Sequence, residues 1–142
     1  MLFRSLKRDG NELNFENTVR PMLGKIDLIT LDDDVNARID INNGDIPTAV
    51  VFSKYGNLMF TSVQGNNRVD VYDAYNGSLL TAIEDVGVAP QGLVLSTGGD
   101  TLFVQNLLSR SVSAYNVSAI VNQQSAQIVK LAEITTDRKS VV

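Results

Sequence analysis

The 142-residue chain has no cysteine and no histidine, and only three prolines. Without cysteine there is neither a disulfide framework nor a thiolate nucleophile, and thiols say nothing about the redox compartment. Without histidine this stretch lacks the commonest general base, the commonest transition-metal ligand and any imidazole ligand to haem. Positive charge is scarce too: 12 Lys and Arg stand against 16 Asp and Glu, giving a formal net charge of −4 and a pI near 4.7. Such a chain has no basic surface with which to neutralise phosphates, which argues against nucleic acid and anionic membranes as partners. No apolar run approaches the ~20 residues that span a bilayer, so membrane insertion is not expected, and the start lacks the apolar stretch of a secretory signal.

What is present is ordinary for a globular core, with 44% hydrophobic residues,. The two ends read differently. Met1 to Ser5, Met-Leu-Phe-Arg-Ser, is what a GTG start followed by CTC TTC CGA TCT encodes. Asp137 to Val142, Asp-Arg-Lys-Ser-Val-Val, is what GAT CGG AAG AGC GTC GTG encodes. Both strings match short-read sequencing adapters translated in frame, so natural sequence is expected from about Leu6 to Thr136, cut on both sides.

The chain matches itself at an offset of 43 residues. Ile46-Pro47-Thr48-Ala49-Val50-Val51-Phe52-Ser53 lies over Ala89-Pro90-Gln91-Gly92-Leu93-Val94-Leu95-Ser96. Without a gap, Gly56 then falls on Gly99, Asn57 on Asp100, Phe60 on Phe103, Val69 on Val112 and Tyr72 on Tyr115. Upstream, Lys25 to Ile29 sits under Arg68 to Tyr72, which predicts a third copy of that strand. One offset held across several strands and turns is the mark of a structural repeat.

Each unit reads as four short strands. Pro47 fixes φ and lacks an N–H, so it suits the start of a strand. Thr48 to Phe52 forms the first strand, and Gly56 supplies positive φ in the turn that follows. Leu58 to Val63 is the second strand, closed by Gly65-Asn66-Asn67. Arg68 to Tyr72 is the third, with Val69 and Val71 expected inward and Arg68 and Asp70 outward. Ser78 to Ile83 is the fourth. The next unit runs to about Ile134, with a longer last loop around Ser118 to Ser125, and Lys25 to Ile41 supplies the last two strands of an earlier unit. Lys7 to Asn17 is expected to be a linker or loop remnant.

Four strands in about 40 to 45 residues is the measure of a propeller blade. The expected fold is therefore all-β, a β-propeller fragment of about two and a half four-stranded antiparallel blades. The expected boundaries are an adapter-like start and linker at 1–24, two strands of a preceding blade at 25–45, blades at 46–88 and 89–136, and an adapter-like tail at 137–142. A blade buries its two apolar faces only between neighbours. With one face of several hundred Å² open, roughly 10 kcal/mol of burial is missing at about 25 cal/mol per Å², comparable with a whole domain's stability. The isolated chain is expected to be marginal or prone to aggregate.

The strings Pro90 to Ser96, Gly99 to Asn106 and Ser111 to Tyr115 resemble the YVTN family of β-propeller repeats. Its pattern is a proline-led strand, a Ser-x-x-Gly-Asp turn, a Leu-Tyr/Phe-Val-x-Asn strand and a Val-x-Val-x-Asp strand. The resemblance covers about residues 25 to 134. Asn116 departs from it where an acidic residue is usual, as do Ser62 and Val63 where Asn is expected. Gln64 to Val69 and Ala89 to Leu93 more loosely resemble the propeller portion of exported bacterial proteins that also carry a di-haem domain of the cytochrome c peroxidase or MauG type. That likeness implies a periplasmic or cell-surface location and c-type haem in the parent protein, attached through Cys-x-x-Cys-His motifs that would follow Thr136.

Candidate sites are few. Asp32-Asp33-Asp34 offers three carboxylates to a hard cation such as Ca²⁺. Consecutive residues cannot all face one ion, however, and the stretch reads as a solvated turn. Asp70 and Asp73 with Arg68 and Arg110 could line a channel mouth, or could form in-blade salt bridges and turn caps. Tyr72 and Tyr115, at matching positions, read as packing residues. Gly98-Gly99 is no phosphate loop, because no helix follows it. The sequons at Asn76 and Asn116 matter only in a eukaryotic secretory pathway. No residue is assigned a catalytic, cofactor-binding or metal-binding role. The functional expectation is a non-catalytic scaffold or interaction segment of a larger exported protein, whose first partners are the remaining blades of its own chain and then a protein. The alternatives are part of a stand-alone surface-binding YVTN propeller, or of an enzyme with its site at the propeller centre.

Overall fold

The computed structural model describes residues 21–41, 43–84 and 86–136. The adapter-like strings at 1–5 and 137–142 and the linker at 7–17 lie outside the described residues. Two four-stranded antiparallel sheets and one two-stranded sheet account for the described strands. The small sheet pairs β1 (Met22–Leu23) with β2 (Ile39–Asp40). The first full sheet is a meander of β3 (Pro47–Phe52), β4 (Leu58–Val63), β5 (Arg68–Asp73) and β6 (Leu79–Ile83). The second repeats that order in β7 (Pro90–Leu95), β8 (Thr101–Asn106), β9 (Ser111–Asn116) and β10 (Val129–Thr135). The architecture is all-β, with sheets of two, four and four strands, and matches about two and a half propeller blades.

The 43-residue register extends to individual hydrogen bonds. Pro47 and Pro90 each open a strand, and both sheets carry a register shift just after them. Ser53 Oγ accepts from Leu58 N at 3.0 Å and donates to Asn57, while Ser96 Oγ accepts from Thr101 N at 3.1 Å and donates to Asp100. Gly56 (φ +69°) and Gly99 (φ +78°) occupy the left-handed position of these turns. A Cβ on Gly56 would meet nothing, whereas one on Gly99 would sit 2.9 Å from Lys54 Cβ of the neighbouring sheet. Gly56→Ala is therefore expected to cost about 1 kcal/mol, the left-handed penalty alone, and Gly99→Ala about 2 kcal/mol or more, read from urea unfolding curves.

One core joins the two full sheets. Leu58, Phe60, Val69, Val71 and Ile83 of the first sheet pack with Leu102, Val104 and Tyr115 of the second. Cross-strand pairing puts Phe60 opposite Val71 and Ser62 opposite Val69, so this face of the first sheet looks toward the second,.

Three features differ from the sequence expectation. The strand expected from Lys25 is not where the preceding pair forms: Ile26 makes one isolated bridge to Asp33, and residues 28–30 are a turn. Asp27 Oδ1 accepts from Ile29 N and Thr30 N, which closes that turn and moves the β2 partner upstream to Met22–Leu23. Asp70 is fully buried, not outward, because it lies on an inner strand, and the inner strands β4 and β5 are buried on both faces along most of their length. Lastly, the long loop after β9 forms a helical turn, α1 (Ser118–Val121), whose Ile120 and Val121 enter the core.

Candidate functional site

The face of the second blade turned away from the first is uncovered. Phe103 pairs opposite Ala114, and Gln105 opposite Val112; Val94 pairs with Phe103, and Ile134 with Val112. These side chains share one face of the sheet. The repeat register maps them onto residues already seen. Val94, Phe103, Val112 and Ala114 stand where Val51, Phe60, Val69 and Val71 stand in the first blade. Phe60, Val69 and Val71 are wholly buried, whereas Phe103 is 37% and Val94 58% exposed. Along this face runs a groove of about 1050 Å³ that also touches Leu107 and Arg110.

The polar residues singled out in the sequence are not gathered there. Arg68 Nη2 donates to Asp70 Oδ2 at 3.2 Å, Arg68 Nε lies 2.8 Å from Oδ1 without hydrogen-bond alignment, and Tyr72 OH donates to Asp70 Oδ2 at 3.2 Å. Burial first, then the negative charge and hydrogen bond of Asp70, push the Tyr72 phenol well above its usual range. The neutral phenol thus favours the folded state, and the stability it carries is complete below about pH 10, the unfolded tyrosine value. As pH rises past about 10 toward the folded value, that contribution is lost. Denaturant unfolding against pH should show this alkaline loss, and Tyr72→Phe should remove most of it.

Asp73 caps a turn, accepting from Tyr75 N and Asn76 N at 2.8 and 3.0 Å. Arg110 sits on the second blade, apart from these groups, and is in none of the ion pairs among the described residues. Asp33 pairs with Arg38, which holds its carboxyl below the usual range, and Asp34 accepts from Asn36 N. Tyr115 packs in the inter-blade core. Asn76 and Asn116, the sequon asparagines, each bind the serine two residues on through both its N and its Oγ. Among the described residues no group of three Asp, Glu, His or Cys could hold a metal ion, and no described helix is long and apolar enough to cross a membrane.

Sequence reasoning missed a strained rim at one end of the blades. Ile46 (φ +50°) and Ala89 (φ +58°) precede the two strand-opening prolines in the left-handed region, and Asn67 (φ +54°) and Arg110 (φ +51°) occupy it one turn away. Only Asn67 has a residue type that signals such backbone; a β-branched Ile argues against it. Asn67 Oδ1 accepts from Ala89 N at 3.0 Å, tying the first blade's turn to the start of the second blade.

No protein-family model matches this chain, and no curated protein sequence matches it. Solved structures do match. The β-propeller domain of Cps50 (Swd1) from Myceliophteria thermophila is similar at 17% identity over 82% of this chain and 38% of its own length, TM-score 0.63. The periplasmic gluconolactonase PpgL of Pseudomonas aeruginosa is similar at 20% identity over 72% of this chain and 30% of its own, TM-score 0.58. The dihydro-heme d1 dehydrogenase NirN, solved in complex with DHE, is similar at 19% identity over 78% of this chain and 22% of its own, TM-score 0.54. The chain spans well under half the length of these structures. What the likenesses establish is the fold: a β-propeller-like arrangement shared with proteins of several kinds.

Proposed function

We propose that this chain is a non-catalytic scaffold and interaction segment of a larger β-propeller, in which a further blade of the same repeat covers the open face of the second blade. The observation that carries this reading is the internal comparison: Phe103, exposed, and Val112 and Ala114, half-buried, stand in register with Phe60, Val69 and Val71, which the next blade buries completely. Within this reading the repeats are of YVTN type, and the parent is an exported bacterial protein, periplasmic or on the cell surface, that also carries c-type haem. The support for export is the likeness to a periplasmic gluconolactonase. The support for the haem link is the likeness to a dehydrogenase of dihydro-heme d1. The redox chemistry would then belong to another part of the parent, because this stretch has neither Cys nor His.

Long-read sequencing of the source gene across both ends tests this. The expected result is an open frame that continues past Thr136 through further 43-residue units into Cys-x-x-Cys-His motifs. A frame with further units and no such motif removes the haem parent and leaves the propeller reading. A frame with neither overturns both.

A further inference from the structure

The β1–β2 pair that precedes the first full blade leaves aliphatic side chains in water where the repeat buries them. Lys25-Ile26-Asp27-Leu28-Ile29 stands in register with Arg68-Val69-Asp70-Val71-Tyr72. Val69, Asp70 and Val71 are wholly buried and Tyr72 nearly so, whereas Ile26 is 54%, Leu28 85% and Ile29 93% exposed. The facing side of the same seam is open too. Val50 and Phe52 of β3 are 43% and 56% exposed, while their counterparts Leu93 and Leu95, half-buried, pack against the core that holds Val69 and Val71. Unmatched aliphatic surface therefore stands on both sides of one seam.

A local turn keeps the segment out of the seam. Asp27 Oδ1 accepts from Ile29 N at 2.7 Å and Thr30 N at 3.1 Å, and Leu31 N donates to Asp27 O at 2.8 Å. The turn forces Leu31 into the left-handed region at φ +61°, which a residue with a Cβ enters at a cost. The pairing of β2 is displaced with it. In the first full blade Ile83 pairs with Val69 and Ala82 with Asp70, so the repeat sets Asp40 opposite Ile26 and Ile39 opposite Asp27. The structure instead sets Asp40 opposite Met22 and Ile39 opposite Leu23. Met22 and Ile26 are an even number of residues apart, so both registers turn the same faces of the strand the same way. Among the described residues no strand precedes β1, and a strand over Lys25 to Ile29 would have an unpaired edge on that side.

We propose that residues 25–31 have two positions: the turn described above, and the third strand of the preceding blade, adopted when the first two strands of that blade are present. In the second position Ile26 and Asp27 replace Met22 and Leu23 beside β2, and Ile26 and Leu28 cover Val50 and Phe52. Lys25 and Asp27 then take the places of Arg68 and Asp70, so the carboxylate that caps the turn exchanges two backbone N–H groups for an ammonium partner. The repeat itself identifies the occupant as a strand pair built like β3 and β4, which stands beside the third strand in the first full blade. This inference rests on the propeller reading and adds to it the rearrangement by which the β1–β2 pair accepts the rest of its blade.

The chain has no cysteine, so one introduced thiol reports on one site. Leu28→Cys, Phe52→Cys and Tyr75→Cys are each placed in the full chain and in a chain whose residues 1–20 are exchanged for a copy of residues 44–63, at the repeat's own offset of 43. The rate of labelling by fluorescein maleimide is then measured at low protein concentration. Tyr75, 80% exposed in the turn before β6, is the control. Circular dichroism checks that the exchanged chain folds; if it does not, the 44–63 sequence is added to the full chain as a peptide. All three thiols are expected to label quickly in the full chain. With the added strand pair, Leu28→Cys and Phe52→Cys should slow at least about tenfold and Tyr75→Cys should not change. If Phe52→Cys slows and Leu28→Cys does not, the pair docks beside a segment that stays a turn, and the proposal is overturned while the propeller reading stands. If neither slows, the pair has no seat on the first blade, and both are overturned. Slowing of Leu28→Cys alone, or slow labelling of it in the unaltered chain, places the segment elsewhere and also overturns the proposal.

Discussion

Phe60→Ala lowers the unfolding free energy by about 3–5 kcal/mol, whereas Phe103→Ala costs under about 1 kcal/mol in the same chain. The two phenylalanines hold the same repeat position. Phe60 is completely buried between the sheets, so truncating it loses the transfer energy of the ring and leaves a cavity lined by Val69, Val71, Leu102 and Val104,. Phe103 keeps more than a third of its surface in water, and with no neighbour on that side its removal opens no cavity. Urea unfolding of the two variants reads the difference directly. Similar costs would mean that something covers the second blade's outer face already.

Asp70→Ala is the other large loss, about 3 kcal/mol. Removing the carboxylate strands the Arg68 guanidinium, whose side chain is only 20% exposed, and the Tyr72 hydroxyl, which lies in the buried part of the sheet. Breaking a buried pair from one side costs about 3–5 kcal/mol, and the residual access of Arg68 to water places this case at the low end. Asp70→Asn keeps an acceptor for Tyr72 and should lose less, and Tyr72→Phe about 1 kcal/mol. Equilibrium unfolding at neutral pH separates the three. A near-neutral Asp70→Ala would show that the Arg68–Asp70–Tyr72 cluster is solvated rather than structural.

Much of the fold was legible because it repeats. The offset that aligned Gly56 with Gly99 also aligned the prolines and the serine-headed turns, and each of these pairs plays the same structural part. Alternation alone misled at Asp70. A period-two pattern reports unlike faces, not which of them meets water, and the inner strands of this blade bury both. The shift of the β1 partner to Met22–Leu23 was hidden because a local side-chain cap at Asp27 outweighs the register of a single strand pair. The left-handed backbone at Ile46 and Ala89 carries no residue-type signal; tertiary hydrogen bonds to the adjacent turns hold it. The repeat count already implied an open blade face, but the residues that line it look like any blade's until their exposure is compared across the repeat.

Sedimentation velocity of the full chain over a range of concentrations, beside Phe103→Asp, tests the central claim that the second blade's outer face is built to be stacked upon. Concentration-dependent association is predicted for the wild-type chain, and its loss or marked weakening in Phe103→Asp. A wild-type chain that stays monomeric at every concentration and melts cooperatively would contradict it.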